Sequence, residues 1–157
     1  MTDIALVDTN VLLLVLIGSI SPAEIRKHKR LSQFDVAHYE HVLEYLGLFD
    51  DIIVTPHILT ETSNLSRHSQ FRDSSATRIA SAFRQLLKDY AEDLTASAPS
   101  AERREFAALG LTDCVILDLL DQSTDETTIT LVSSDRDLVS RARSLGHSVY
   151  DVLAEFA

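Results

Sequence analysis

Ile4-Ala5-Leu6-Val7-Asp8-Thr9-Asn10 opens with a short apolar run, rich in branched side chains, that stops at a carboxylate. A continuous run of this kind, without polar alternation, predicts a strand buried on both faces, as in the middle of a parallel sheet. Asp8 then stands at the carboxyl end of that strand. Residues 11–17 stay apolar without a strand-like boundary and predict a buried first helix, closed by Gly18. This is the longest apolar run, and at seven residues it falls far short of the roughly 20 needed to span a bilayer, so no membrane anchor is expected.

Downstream, Ser21-Pro22-Ala23-Glu24 joins an N-cap serine, a proline at the first helical position and a glutamate at the third, predicting a short basic helix through Arg30. Asp35 can cap a further helix whose Val36, Tyr39, Val42, Leu43 and Leu46 form a core face ending at Gly47. Residues 51–55 read as the second strand, and Pro56 suits the first turn of a helix carrying Leu59, Glu61 and Leu65. Ala76, Ile79, Phe83, Leu86, Leu87 and Tyr90 mark a long amphipathic helix, with a loop predicted over 96–100 and a helix near 102–109. Gly110 ends that helix and Thr112 offers an N-cap for the next, over 114–120. Residues 129–133 predict a third strand followed at once by Asp135, then a helix over 138–145 stopped by Gly146, then a last strand over 147–152. Strands alternating with helices imply an α/β fold with a parallel sheet, and the length suits one domain over 1–157.

Composition narrows the function. With 45% hydrophobic and 24% charged residues, the chain is neither a disordered nor a collagenous sequence. Fourteen basic against 24 acidic side chains leave a net charge of −10, which argues against indiscriminate attraction to nucleic acid or anionic lipid; a polyanion partner must be held locally. Cys114 is the single cysteine, so no internal disulfide can form, and with no secretory leader the expected compartment is the reducing cytoplasm. Next to Asp113, it reads as a small buried hydrophobe rather than a nucleophile.

Asp8, Glu61, Asp113 and Asp135 all fall at strand ends or helix starts. In an open parallel sheet the carboxyl edge is where ligands bind. Singly, each acid also reads as a helix cap or as a partner of the helix dipole. Gathered together, four carboxylates would repel one another in a partly dry cleft, and a divalent cation removes that conflict. Hard oxygen donors with open water positions suit Mg²⁺ or Mn²⁺, whereas no Cys and His cluster suggests closed zinc. His38 and His41 share a helical face at three-residue spacing, which suits a surface or core pair better than a metal site.

Val7-Asp8-Thr9-Asn10, Thr60-Glu61-Thr62-Ser63-Asn64, Leu111-Thr112-Asp113-Cys114 and Ser133-Ser134-Asp135-Arg136-Asp137-Leu138, in that order and at that spacing, resemble the PIN-domain ribonucleases, particularly the VapC-like toxins. The resemblance implies a three-layer α/β/α sandwich around a central parallel sheet, a divalent metal, and hydrolysis of RNA phosphodiester bonds. It implies Asp8, Glu61, Asp113 and Asp135 as the catalytic, metal-binding acids, Asp137 as an auxiliary, and Thr9, Asn10 and Ser133 as hydroxyl or amide supports. For a toxin it further implies a cognate antitoxin protein and a homodimer. The stretch 21–47 departs from the compact toxin pattern, being larger than that scheme needs.

RNA would need local positive charge. Arg26, Lys27, His28, Lys29 and Arg30 form one basic cluster and Arg67, His68, Arg72, Arg78 and Arg84 a second; either can track phosphates, although a solvated helical face also accounts for the first. Aromatics are sparse and Trp is absent, so RNA shape, or positioning by a second chain, is a better basis for recognition than base stacking. Two other classes compete. In a non-catalytic PIN-like scaffold for RNA or protein, the acids would only cap helices. In a phosphatase or phosphoryl-transfer domain Asp8 would be a nucleophile, but Asp8-Thr9-Asn10 lacks a second carboxylate two positions on and no lysine clearly completes such a site.

Overall fold

A computed structural model describes residues 1–67 and 73–156. Strand β1 (Thr2–Val7) is central: Ala5, Leu6 and Val7 are fully buried, as their uninterrupted apolar character requires. It pairs in parallel with β2 (Asp51–Val54) on one side and with β4 (Thr127–Ser133) on the other. Beyond these lie a two-residue strand β3 (Ala91–Glu92) and β5 (Ser148–Asp151), again parallel, giving the order β3-β2-β1-β4-β5. The chain therefore builds outward from β1 to β3, returns across the sheet, and builds outward again from β4 to β5. The reversal lies between β1 and β4, and at such a switch point the loops leave the carboxyl ends in opposite directions and open a crevice.

Helices cover both faces. α1 (Thr9–Ile20), α2 (Val36–Leu46), α3 (Pro56–Ser66) and α4 (Asp73–Asp89) belong to the first half of the chain, and α1 packs against the other three. α5 (Ser97–Ala101), α6 (Phe106–Leu109) and α7 (Leu111–Leu120) pack together in the second half, followed by α8 (Arg136–Ser144) and a short α9 (Val152–Glu155). With right-handed crossovers the outward and return halves take opposite faces, and the result is the three-layer α/β/α sandwich expected. α1 is buried nearly all round, Leu12, Leu13, Leu14, Leu16 and Ile17 having no exposed surface. Each such side chain contributes roughly 1.5–3 kcal/mol of burial.

Several local expectations are corrected. Gly18 does not close α1, which runs on to Ile20; it is there because the Tyr39 ring of α2 lies against it, and a Cβ would meet ring atoms at 2.4, 2.6 and 2.8 Å. Gly18→Ala would gain up to about 1 kcal/mol of helix propensity but must displace that ring, and overpacking of this kind costs about 1–3 kcal/mol. The expected net result is a destabilisation of roughly 1–2 kcal/mol in a urea melt; an unchanged or higher midpoint would show that Tyr39 moves aside freely. Ser21 makes no side-chain cap, and the predicted basic helix is instead two 3₁₀ turns, Pro22–Glu24 and Lys29–Leu31. The short apolar anchors Ile25 and Leu31, both fully buried, hold that segment down without helical periodicity.

Residues 96–100, expected as a loop, mostly form α5, whereas the helix expected near 102–109 shrinks to α6. Thr112 does not cap α7: Gly110, at φ 87°, is the residue before the helix and Thr112 lies inside it. β3 has no counterpart in the sequence reading. α2 forms as expected, capped by Asp35, with His38 returning the bond to the Asp35 amide. Leu43, expected on its core face, is instead 42% exposed. His38 and His41 both lie against Phe156, at ring-centroid distances of 5.1 and 4.6 Å.

Arg103 ties the return half together. Its Nη1 donates to Asp118 (2.8 Å) and Asp121 (2.7 Å) on and just after α7, and its Nη2 donates to Glu105 at 3.3 Å. Glu105, almost buried, also accepts from Arg141 of α8 at 3.2 Å. The carboxyl end of α7 is thus clamped to the second half of α8.

Candidate functional site

Asp8 ends β1 as a buried carboxylate, 4% exposed. Its Oδ1 accepts the Thr9 amide at 2.7 Å, capping α1, and its Oδ2 accepts the Ser133 hydroxyl at 2.7 Å from the end of β4. Ser133 Oγ in turn accepts the Asp135 amide at 3.0 Å. Asp135 caps α8, its Oδ1 accepting the Asp137 and Leu138 amides, both at 3.0 Å. The two central strands are therefore cross-tied at the switch point by acids and a hydroxyl, each satisfied locally on one oxygen or more.

Glu61 enters from α3. Its Oε2 accepts the Thr9 hydroxyl at 3.1 Å and its Oε1 the Thr112 hydroxyl at 2.6 Å. One carboxylate thus bridges the first turn of α1 and the first turn of α7. Asp113, beside Thr112, lies in that same turn of α7. Gly110 makes the geometry available: a positive φ is strained for a residue with a side chain, and here it lets α7 start directly after α6.

The acids feel one another. Burial pushes the Asp8 carboxyl up to about 6, the Ser133 and Thr9 hydrogen bonds pull against it, and the charges of Asp135 and Glu61 add to the rise. Asp113 is pushed to about 8, first by burial and then by the charges of Asp8, Asp135, Glu61 and Asp137. All four expected acids, with Asp137 at the margin, therefore share one electrostatic neighbourhood.

Among the supports, Thr9 and Ser133 are bonded to these carboxylates, whereas the Asn10 side chain makes no hydrogen bond among the described residues. Thr112 is a site residue that the sequence reading assigned elsewhere, as a helix cap. Its adjacency to Asp113 was visible, but its bond to Glu61, 51 positions away, has no local signal. Arg26, Lys27, Lys29 and Arg30 are exposed around the buried Ile25 and His28, and Lys27 reaches Glu24 at 3.4 Å. None of these four pairs with the acids of the site among the described residues. Arg67 is exposed at the end of α3; Arg72, like His68, lies outside the described residues.

Among the described residues, no three His, Cys, Asp or Glu side chains form a ready-made metal cage. The donor chemistry nonetheless fits a hard divalent cation: the polar groups here are carboxylates and hydroxyls, and burial and mutual repulsion hold Asp8 and Asp113 partly protonated near neutral pH. A cation would replace those protons and let the acids ionise together. Compared with protein-family models and with curated proteins, the chain gives no match. No helix among the described residues is long and apolar enough to cross a membrane.

Proposed function

We propose that this protein is a divalent-metal-dependent endoribonuclease of the PIN type, acting as the toxin of a toxin–antitoxin pair. The observation that carries the reading is the meeting of Asp8, Glu61, Asp113 and Asp135, from four separate stretches of the chain, at the carboxyl edge of the sheet where its topology reverses. Asp8 and Asp135 cap helices, but Glu61 and Asp113 do not, and gathering all four costs stability unless a cation offsets it.

Asp8 and Asp113 would hold Mg²⁺ or Mn²⁺, with Asp135 and Glu61 completing the site directly or through water. Such a cation, when bound, lowers the pKa of a coordinated water and neutralises charge on the leaving oxygen. The chain's own part is positional. Thr9 and Thr112 fix both oxygens of Glu61, and Ser133 orients Asp8 while holding the backbone of Asp135. The Asp113 carboxyl holds a proton at neutral pH until loading displaces it. Exposed Arg26, Lys27, Lys29 and Arg30 are available to RNA phosphates, which suits a chain whose overall charge of −10 offers no general attraction. A cognate antitoxin and a second copy of the chain are the expected protein partners.

The test is a time course with total cellular RNA in Mg²⁺ or Mn²⁺ and mapping of the cut ends. Cleavage that chelation abolishes is expected, together with a metal-dependent rise in stability of about 2–3 kcal/mol when the cation stands near a hundredfold above its Kd. A non-catalytic scaffold would give intact RNA and no specific Mn²⁺ stabilisation, and that pair of results would retire the nuclease reading.

A further inference from the structure

Beside Asp135, on the β5 side of the carboxyl edge, lies a cavity of about 660 Å³ lined by Gln33, Ser134, Arg136, Asp151, Leu153 and Ala154. Three segments meet there. Ser134 and Arg136 flank Asp135 between β4 and α8. Asp151, Leu153 and Ala154 come from the junction of β5 and α9. Gln33 comes from the enlarged stretch 21–47, a few residues beyond the exposed basic side chains Arg26, Lys27, Lys29 and Arg30. Gln33 is firmly presented, because it stands between the buried anchors Leu31 and Phe34, and the Phe34 ring meets His38 of α2 edge-on at 5.7 Å.

The lining carries hydrogen-bonding capacity that the fold does not use. Among the described residues, the side chains of Gln33, Ser134 and Arg136 make no hydrogen bond or ion pair. Asp151 spends Oδ1 on the Leu153 and Ala154 amides at 3.1 and 3.3 Å, leaving Oδ2 open. A carboxylate in the wall disfavours a phosphate inside the cavity, whereas Leu153 and Ala154 offer apolar surface to a flat ring. The volume lies within the range of about 300–1,000 Å³ typical of small-molecule sites.

We propose that this cavity is a guanine-binding subsite for the RNA nucleotide next to the scissile bond. Guanine carries N1–H and N2–H donors beside its O6 acceptor. Asp151 Oδ2 accepts from the donors, while the Arg136 guanidinium and Gln33 amide donate to O6 and N7, arginine being the common partner of those two atoms. Uracil offers one ring donor and cytosine one amino group, so neither satisfies the carboxylate as fully. Reading a splayed base by its edge is the usual way in which single-stranded RNA is recognised by sequence. The inference deepens the nuclease reading and rests on it for its biological role, but the binding itself needs no cleavage.

The test is a metal-free titration of the ¹⁵N-labelled full chain with GMP, AMP, CMP and UMP. GMP is expected to move the Gln33 side-chain amide and the Ser134 and Arg136 amides, and to bind about tenfold or more tighter than the other three. Gln33→Ala and Arg136→Ala should each weaken GMP about tenfold; both side chains are exposed and unengaged, so the fold should persist. Equal binding of all four nucleotides, or GMP shifts confined to other residues, would overturn the subsite even in a chain that cuts RNA. Selective GMP binding by a chain that leaves RNA intact in Mn²⁺ would support the subsite and overturn the nuclease reading instead.

Discussion

Asp113→Asn should cut RNA cleavage by about a thousandfold, in the upper range for losing a group that stabilises transition-state charge, and should at the same time make the metal-free protein more stable at pH 8. The sign follows from the proton. An unfolded aspartate releases its proton near 3.8, whereas Asp113 in the fold keeps it until about 8. The unfolded state therefore binds fewer protons across that window, and stability falls as pH rises from about 4 to 8. Asp8, raised to about 6, steepens the lower part of the same fall. Asparagine has no proton to lose, so the variant escapes the Asp113 share of it. Allowing for the partial exposure of Asp113, the gain at pH 8 is roughly 2 kcal/mol, or about 4–8 °C in Tm. At pH 4 wild type and variant should melt together. Thermal melts across pH in chelator, beside cleavage assays in Mn²⁺, check both halves. A variant that melts below wild type at pH 8 would mean that the acids do not repel as described.

Arg103→Met should lower stability by about 2–4 kcal/mol, a fall of roughly 5–15 °C in Tm. The guanidinium holds Asp118, Asp121 and Glu105 at once, and its side chain is only 16% exposed. Burial acts to raise the Glu105 carboxyl, but its own backbone amide and the two arginines, Arg141 and Arg103, outweigh that and hold it low. Such a depressed acid contributes stability above its unfolded pKa and loses it as pH falls, so the variant should lose part of the wild-type acid sensitivity. Arg143 is the control. Its contact with Glu155 is 3.5 Å long and about half exposed on both sides, and Arg143→Ala should stay within about 0.5 kcal/mol of wild type. Equal effects of the two substitutions in urea melts would deny Arg103 its clamping role.

What the sequence made legible was whatever is written in contiguous residues. A short apolar run rich in branched residues that stops at a carboxylate suits a strand covered on both faces, so β1 and the position of Asp8 followed directly, and Asp35, Pro56 and Asp135 marked helix starts because capping is a local matter. Misreadings arose where the deciding partner is distant. Gly18 looks like a stop until Tyr39 is placed against it. Thr112 looks like a cap until Glu61 arrives from α3. β3, two residues long, exists only through its pairing with β2 and carries no periodicity of its own. Of the site, residue types and their order were readable, whereas the hydroxyl bridges that fix the carboxylates were not, because each spans more than 50 positions.

The tie between Asp8 and Ser133 joins residues 125 positions apart, and β4 is inserted beside β1 rather than added at a rim. During translation β1 leaves the ribosome well before β4, its neighbour in the sheet. Until then Asp8 lacks its Ser133 partner, and no nascent fragment ending before β4 can assemble the carboxyl edge. Pairing of such sequence separation is also intrinsically slow. The chain thus carries a built-in delay between the emergence of β1 and the assembly of its carboxyl edge.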